Sequence, residues 1–225
     1  MIEKLMWDSD FFGYLVGRIN TSETFFKIST DELNNFRLIY LFSDKVLEIT
    51  DSKILEVDIK TTLVKLIEKN ELYPVHESIS EYSGGQDTKM KSLALESGKY
   101  SRFKTDKNFM NNEFIKLYSK WIEDSITKVI ADKLIVFSEN NDIEGFVSLK
   151  FNTNYAEIGL IAVDENSRGK GIALALLNAA FKLTQSQGLN SIRIVTQFNN
   201  TPAMKLYHKA GLKMENKQYV YHIWN

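Results

Sequence analysis

The hydrophobic period changes repeatedly along the second half of the chain, and each change marks an element. Phe114, Leu117, Tyr118, Trp121, Ile122 and Ser125 recur at three-and-four spacing, which predicts a helix over Asn111 to Thr127. Leu134 to Ser138 and Ile143 to Phe151 are strand-like runs joined by the polar turn Asn140-Asn141-Asp142. A further strand leads into residue 163. Ile172, Leu176, Ala179, Ala180 and Leu183 then share one face of a helix that Gly188 ends. Residues 191–196 read as a buried strand. The next helix has Thr201 as its cap, Pro202 at its first position and Gly211 just past its end, and a last strand covers Gln218 to Trp224.

The first hundred residues are less regular. Residues 37–42 and Ile54 to Val57 read as strands, with a helix at Thr30 to Phe36, and Asp58 to Ile67 is rich enough in Thr, Val and Ile to be another strand. Trp7 to Tyr14 reads as an aromatic-rich first strand, and Asp87 to Ser97 as a short helix closed by Gly98. The clearest break between periodic segments is Gly98 to Arg102. The pattern therefore predicts an α/β (α+β) protein with a mixed, mostly antiparallel sheet flanked by helices. A smaller N-terminal α+β domain would cover residues 1–100 and a second domain residues 101–225.

One junction carries chemistry. The strand from Glu157 runs into Asn166-Ser167-Arg168-Gly169-Lys170-Gly171-Ile172, a glycine-punctuated turn that opens a helix. Such a turn aims backbone N–H groups and the positive end of a helix dipole at one spot, where an anion can sit. Gly169 and Gly171 remove side chains from the approach, and Arg168 and Lys170 add positive charge. The spacing fits neither a Walker loop, which ends in Gly-Lys-Ser/Thr, nor the Gly-x-Gly-x-x-Gly of a dinucleotide fold. The alternative is a tight strand-to-helix turn whose glycines only permit the geometry.

Arg168-Gly169-Lys170-Gly171-Ile172-Ala173 resembles the Arg/Gln-x-x-Gly-x-Gly/Ala signature of the GNAT acyltransferases. About thirty residues on, Asn200-Thr201-Pro202-Ala203-Met204-Lys205-Leu206-Tyr207-His208-Lys209-Ala210-Gly211-Leu212 resembles the Asn-x-x-Ala-x-x-Leu-Tyr-x-x-x-Gly-Phe/Leu motif of the same family. The resemblance implies a GNAT fold in which two parallel strands splay apart around the pantetheine of acyl-coenzyme A. It implies cofactor contacts from Ile161, Ala162, Val163, Arg168, Gly169, Lys170, Gly171, Ile172, Ala173 and Asn200. Tyr207 would be the general acid that protonates the departing thiolate. Its other reading is an amphipathic core residue whose hydroxyl makes a stray hydrogen bond. Glu157, near the start of the cradle strand, is the candidate base, with water or the substrate itself as alternatives.

Segments across the whole chain resemble a narrower group, the dTDP-linked amino-sugar N-acyltransferases related to dTDP-fucosamine acetyltransferase. They are Trp7-Asp8-Ser9-Asp10-Phe11-Phe12-Gly13, Ser97 to Phe103, Trp121 to Ser125, Val195-Thr196-Gln197 and Tyr221 to Trp224. This implies transfer of an acetyl or 3-hydroxybutyryl group from acyl-CoA to the amine of a dTDP-linked amino-dideoxyhexose. Direct attack in a ternary complex would serve surface polysaccharide synthesis, lipopolysaccharide O-antigen included. Sugars and thymine suit aromatic walls, so Trp7, Phe11, Phe12 and Tyr14 are candidate substrate contacts, with core packing as the alternative. Asp8 is a candidate partner for a hydroxyl or the amine. Arg102 is a candidate for a sugar-nucleotide phosphate, or else a helix cap. Two other functions stay open: a GNAT enzyme acting on a protein or polyamine amine, and a non-catalytic acyl-CoA sensor.

Composition narrows the picture. A formal net charge of −1 without a long charge run gives no reason to expect nucleic acid or an anionic membrane as partner. The absence of cysteine rules out disulfides and a thiol nucleophile. Three dispersed histidines give no metal spacing, so no metal is expected. Residues 1–8 lack the apolar core of a signal peptide and no run reaches membrane-spanning length, which points to a cytoplasmic protein. A homodimer is the family expectation.

Overall fold

The computed structural model describes residues 2–24 and 33–225. The N-terminal part contributes β1 (Glu3–Lys4), α1 (Met6–Phe12), β2 (Val16–Thr21), β3 (Leu38–Ser43), β4 (Ile54–Leu66), β5 (Ile79–Glu81) and α2 (Asp87–Ser97). There follow α3 (Arg102–Thr105), α4 (Glu113–Ile126), β6 (Lys133–Glu139), β7 (Asp142–Phe151) and β8 (Ala156–Val163). The chain ends with α5 (Ile172–Ser186), β9 (Ser191–Gln197), α6 (Thr201–Lys209) and β10 (Lys213–Trp224). Among the described residues ten strands join one sheet in the order β1-β2-β3-β10-β4-β9-β8-β7-β6-β5. Among the described residues only the β2–β3 and β8–β9 pairs are parallel. No helix among the described residues is long and apolar enough to cross a membrane.

Both faces of the sheet are covered, which explains its near-continuous apolar strands. Along β6, Ile135 and Phe137 pack with the α5 residues Leu176, Ala180 and Phe181. Leu134 and Val136 pack on the other face with Leu93 of α2 and Leu117 and Ile122 of α4. The β6–β7 hairpin turns on Asn140 and Asn141, both with positive φ (51° and 65°), as a two-residue turn matched to strand twist requires. Strands from either side of residue 100 interleave. β10 pairs with β3 on one edge and β4 on the other, and the Gly98–Arg102 break falls between α2 and α3.

Several elements differ from the sequence expectation, each for a local reason. Trp7 to Phe12 is helix rather than strand. Asp8 lies in the first turn, favourable for the helix dipole, and Gly13 closes α1 at φ 77° with its N–H on the Ser9 carbonyl. The Ser9 hydroxyl donates to the Leu5 carbonyl (2.6 Å) and accepts from the Val16 N–H (3.0 Å), tying α1 to β2. Residues 54–57 and 58–66 are one strand, β4, with a bulge at Val57 where its pairing with β10 skips a residue. Asn200, not Thr201, caps α6, its side-chain oxygen accepting the Ala203 N–H at 3.3 Å. Gly98 has φ −92°, so it serves close packing instead of an αL stop: a Cβ there would lie 2.3 Å from the Tyr118 ring. The first three residues of the helix expected at Thr30 to Phe36 lie outside the described residues; Leu33 is helical, and Asn34 and Asn35 form the turn that follows.

Candidate active site

β8 and β9 pair only from Ala156–Ile192 to Ile158–Ile194. Just beyond, β8 bulges, with Gly159 and Leu160 facing the single residue Ser148 of β7. The Ser148 hydroxyl accepts the Leu160 N–H at 2.8 Å. β9 meanwhile stays paired with β4 as far as Gln197, so the two parallel strands separate. Between them opens a cavity of about 440 Å³, walled by β8 from Gly159 to Val163, by Val195 to Gln197 of β9, by Tyr118 of α4 and by Tyr207 of α6.

The cradle stands at one side of this cavity. Gly169 and Gly171 have φ of 81° and 85°, a region that glycine enters without strain, and Gly171 immediately precedes α5. The first N–H groups of α5 have no intrahelical acceptor, and the helix dipole adds to their pull on an anion. No atom lies within 4 Å of a Cβ built on either glycine, so the space before the N–H groups is open. Arg168, Gly169 and Ala173 line the cavity. Lys170 and Arg168 lean on carboxylates, Lys170 on Glu144 at 3.7 Å and Arg168 on Glu96 at 2.6 Å. Both are half exposed, so an anion can draw them away. Ile172 instead sends its side chain into the core and can serve an anion only through its backbone.

Tyr207 sits in the cavity wall and is only 4% exposed. Burial alone raises its phenol well above the ordinary range, and its hydroxyl has no hydrogen-bond partner among the described residues. It therefore holds its proton firmly until a strongly basic group develops beside it. Ile161, Ala162, Val163 and Asn200 line the same cavity. Glu157 lines a second cavity of about 270 Å³, which shares Gly159 and Leu160 with the first, so the bulge borders both.

The residues singled out near the N-terminus divide into two groups. Phe12 and Tyr14 pack together (5.7 Å between rings) and join an aromatic cluster with Phe103, Phe109 and Trp224. Trp7, 49% exposed, stacks nearly parallel on Phe11 at 4.9 Å. Asp8 and Arg102, by contrast, belong to a charged group. Burial raises the Asp8 carboxyl, against the pull of Tyr40 and Arg102. The Arg102 guanidinium stacks on Phe103 (4.5 Å) and Tyr40 (4.9 Å), and its Nε is buried without a partner.

Sequence reasoning missed the centre of that group. Asp58 of β4 is 9% exposed, and burial raises its carboxyl from 3.8 to about 6 despite Arg102, Lys60 and Gln197 nearby. Burial, and then Arg102, lower the Lys60 ammonium. The signal was present as alternation, since Val57-Asp58-Ile59-Lys60-Thr61 puts two charges on one face of a strand. Also unforeseen is a buried pair on β10. His222 Nδ1 lies 2.6 Å from Asp106 Oδ2, which also accepts the Trp224 indole N–H at 2.9 Å. Burial pushes His222 down to about 4, so the imidazole is neutral near pH 7. Burial works to raise Asp106, but hydrogen bonds from His222, the Asn108 N–H and Trp224 bring it to about 2. Among the described residues no cluster of His, Asp or Glu could hold a metal.

Residues 104–212 match the model of the acetyltransferase (GNAT) family. The chain is 32% identical over 106 residues to the dTDP-fucosamine acetyltransferase of Escherichia coli, covering 46% of this chain and 45% of that one. It is 26% identical over 132 residues to the spore coat polysaccharide biosynthesis protein SpsD of Bacillus subtilis, covering 59% and 45%. The chain thus spans just under half the length of these curated relatives. A GCN5-related N-acetyltransferase from Sphaerobacter thermophilus superposes with a TM-score of 0.55 at 16% identity, over 87% of this chain and 64% of that one. Residues 104–212, which hold the motifs at Arg168 and Asn200, are therefore a GNAT acetyltransferase domain, and the likeness to the solved structure is one of fold.

Proposed function

We propose that the protein transfers an acyl group, acetyl or 3-hydroxybutyryl, from acyl-coenzyme A to the amine of a dTDP-linked amino-dideoxyhexose for surface polysaccharide synthesis. The observation that carries the transferase reading is the cavity between the parted strands, with the cradle at one side and the Tyr207 phenol in its wall. The α5 N-terminus with Arg168 and Lys170 suits the cofactor's pyrophosphate, and the gap between β8 and β9 suits its narrow arm. The amine attacks the thioester carbonyl, the C–S bond breaks, and Tyr207 supplies a proton to the sulfur.

The acceptor rests on different support. The E. coli relative is named for dTDP-fucosamine and the Bacillus relative for a polysaccharide. Asp8 and Arg102, in segments that resemble amino-sugar acyltransferases, lie in one charged group with Asp58 and Lys60. In this reading the first hundred residues build the acceptor site. The test is to mix the purified protein with dTDP-linked 3-amino and 4-amino dideoxyhexoses and a panel of acyl-CoAs, then weigh the products. A mass gain on one sugar establishes donor and acceptor together. Coenzyme A binding without any product would overturn the sugar acceptor and leave the fold assignment standing.

A further inference from the structure

Three charged side chains stand together without satisfying one another. Arg102 acts on both Asp58 and Lys60, and those two act on each other, yet none of the three closes an ion pair within 4.0 Å among the described residues. A buried carboxylate this close to two cations normally draws one into contact. Here Arg102 is held back by stacking on Tyr40 and Phe103, and a bulge at Val57 sets the direction of the strand beside Asp58. The three charges therefore stand near one another without a closed ion pair among them.

The charged group adjoins the cavity through Gln197 and Tyr118. Leu63 of β4 packs toward α5 and α6; β4 stays in register with β9 from Lys60 to Leu66 and with β10 from Asp58 to Thr62, so Asp58 and Lys60 face the other side, that of α2 and α4. Lys60 pairs in register with Gln197 of β9, and Gln197 and Tyr118, both close enough to affect Asp58, line the 440 Å³ cavity. Glu157 approaches Lys60 from β8. The groups facing Asp58 are therefore Lys60 on its own strand, Gln197 on β9, Arg102 on α3 and Tyr118 on α4.

We propose that Asp58 is the catalytic carboxylate that receives the acceptor's ammonium and takes its proton, while Arg102 and Lys60 hold the acceptor's anionic phosphate. This rests on the amino-sugar reading above and adds the residues that would execute it. The proton balance closes. Asp58 takes one proton from R–NH₃⁺ and returns it to solvent, the one net proton released per turnover. The free amine forms the N–C bond, the C–S bond breaks, the sulfur gains the Tyr207 proton, and the second proton shed by nitrogen restores the phenol. A carboxyl that titrates near 6 is matched to this task at neutral pH.

The test compares wild type, Asp58→Asn and Asp58→Glu. Calorimetry with coenzyme A present measures binding of the dTDP-amino sugar and of the same sugar bearing a hydroxyl in place of the amine. Turnover is followed across pH. The expected result is that wild type prefers the amine, and that Asp58→Asn loses this preference and at least roughly 10²-fold in kcat/KM. Coenzyme A affinity is retained, and the ionisation near pH 6 disappears from the profile. Asp58→Glu restores part of the rate. Should Asp58→Asn keep both the preference and the profile of an active wild type, the role of Asp58 is overturned while the amino-sugar reading stands. A wild type that binds coenzyme A but neither sugar overturns both.

Discussion

A buried carboxylate retained for chemistry should weaken the fold that holds it, and Asp58 permits this to be measured. Its carboxyl moves from 3.8 to about 6 in the folded protein, because burial outweighs the attraction of Arg102 and Lys60. A raised carboxyl means that the fold prefers the protonated form. Its stabilising contribution is therefore complete below pH 3.8 and is lost as pH rises through about 6. About two pH units at roughly 1.4 kcal/mol each correspond to at most about 3 kcal/mol at pH 8, and relaxation around the charge lowers this to about 1–3 kcal/mol. Asp58→Asn removes the charge while keeping the shape. Urea denaturation at about pH 8 should show the variant more stable by that amount, which in a domain of this size is roughly 2–4 °C in Tm per kcal/mol. The difference should shrink as pH falls from about 6 toward 4. A variant less stable than wild type at pH 8 would mean that attraction to Arg102 and Lys60 outweighs desolvation, and the argument would be refuted. Higher stability with lower activity is the usual mark of a functional group held at a thermodynamic disadvantage.

Other perturbations separate the parts of the site. Tyr207→Phe should keep coenzyme A affinity by calorimetry while lowering turnover at least ten-fold, within the roughly 10²–10⁴ range of acid–base effects; unchanged turnover would remove the phenol from the chemistry. Gly171→Val forces a branched residue to φ 85° and places a side chain before the α5 N–H groups, so a folded variant should bind coenzyme A more weakly. Gly98→Ala would drive a Cβ against Tyr118 and Phe114 and should lower stability by about 1–3 kcal/mol in urea titrations. The buried His222 binds its proton less readily folded than unfolded, so stability should fall as pH drops from 6.5 toward 4. His222→Gln should flatten that limb of the stability profile.

Much of the fold was legible because its signals are local. Apolar spacing in β6, β7, α4 and α5 fixes which face is buried, and Gly188 and Gly211 end helices with positive φ as their positions suggested. The cradle was legible for the same reason, since a helix N-terminus with its glycines is built from adjacent residues. Where local signals misled, a neighbouring element decided the outcome. The aromatic run at Trp7 to Phe12 has the side chains of a strand, but Gly13 closes a helical turn and Ser9 binds it to the carbonyl of Leu5 and the N–H of Val16.

The charged group around Asp58 lay beyond reach because it is assembled across the chain. Asp58 is an ordinary strand residue until β9 parts from β8, α3 brings Arg102 over it, and β10 inserts between β3 and β4. Its environment depends on residues more than forty positions away in Arg102 and farther still in Gln197, and no window of sequence contains them together. The Asp106–His222 contact spans the same kind of distance. The sequence by itself determined most of the elements, the glycine turn before α5 and the place of Tyr207 on a helix, because backbone geometry and short motifs follow from neighbouring residues. Only the tertiary structure decided which charges are buried together, because desolvation is a property of the packed space and not of the residues that enter it.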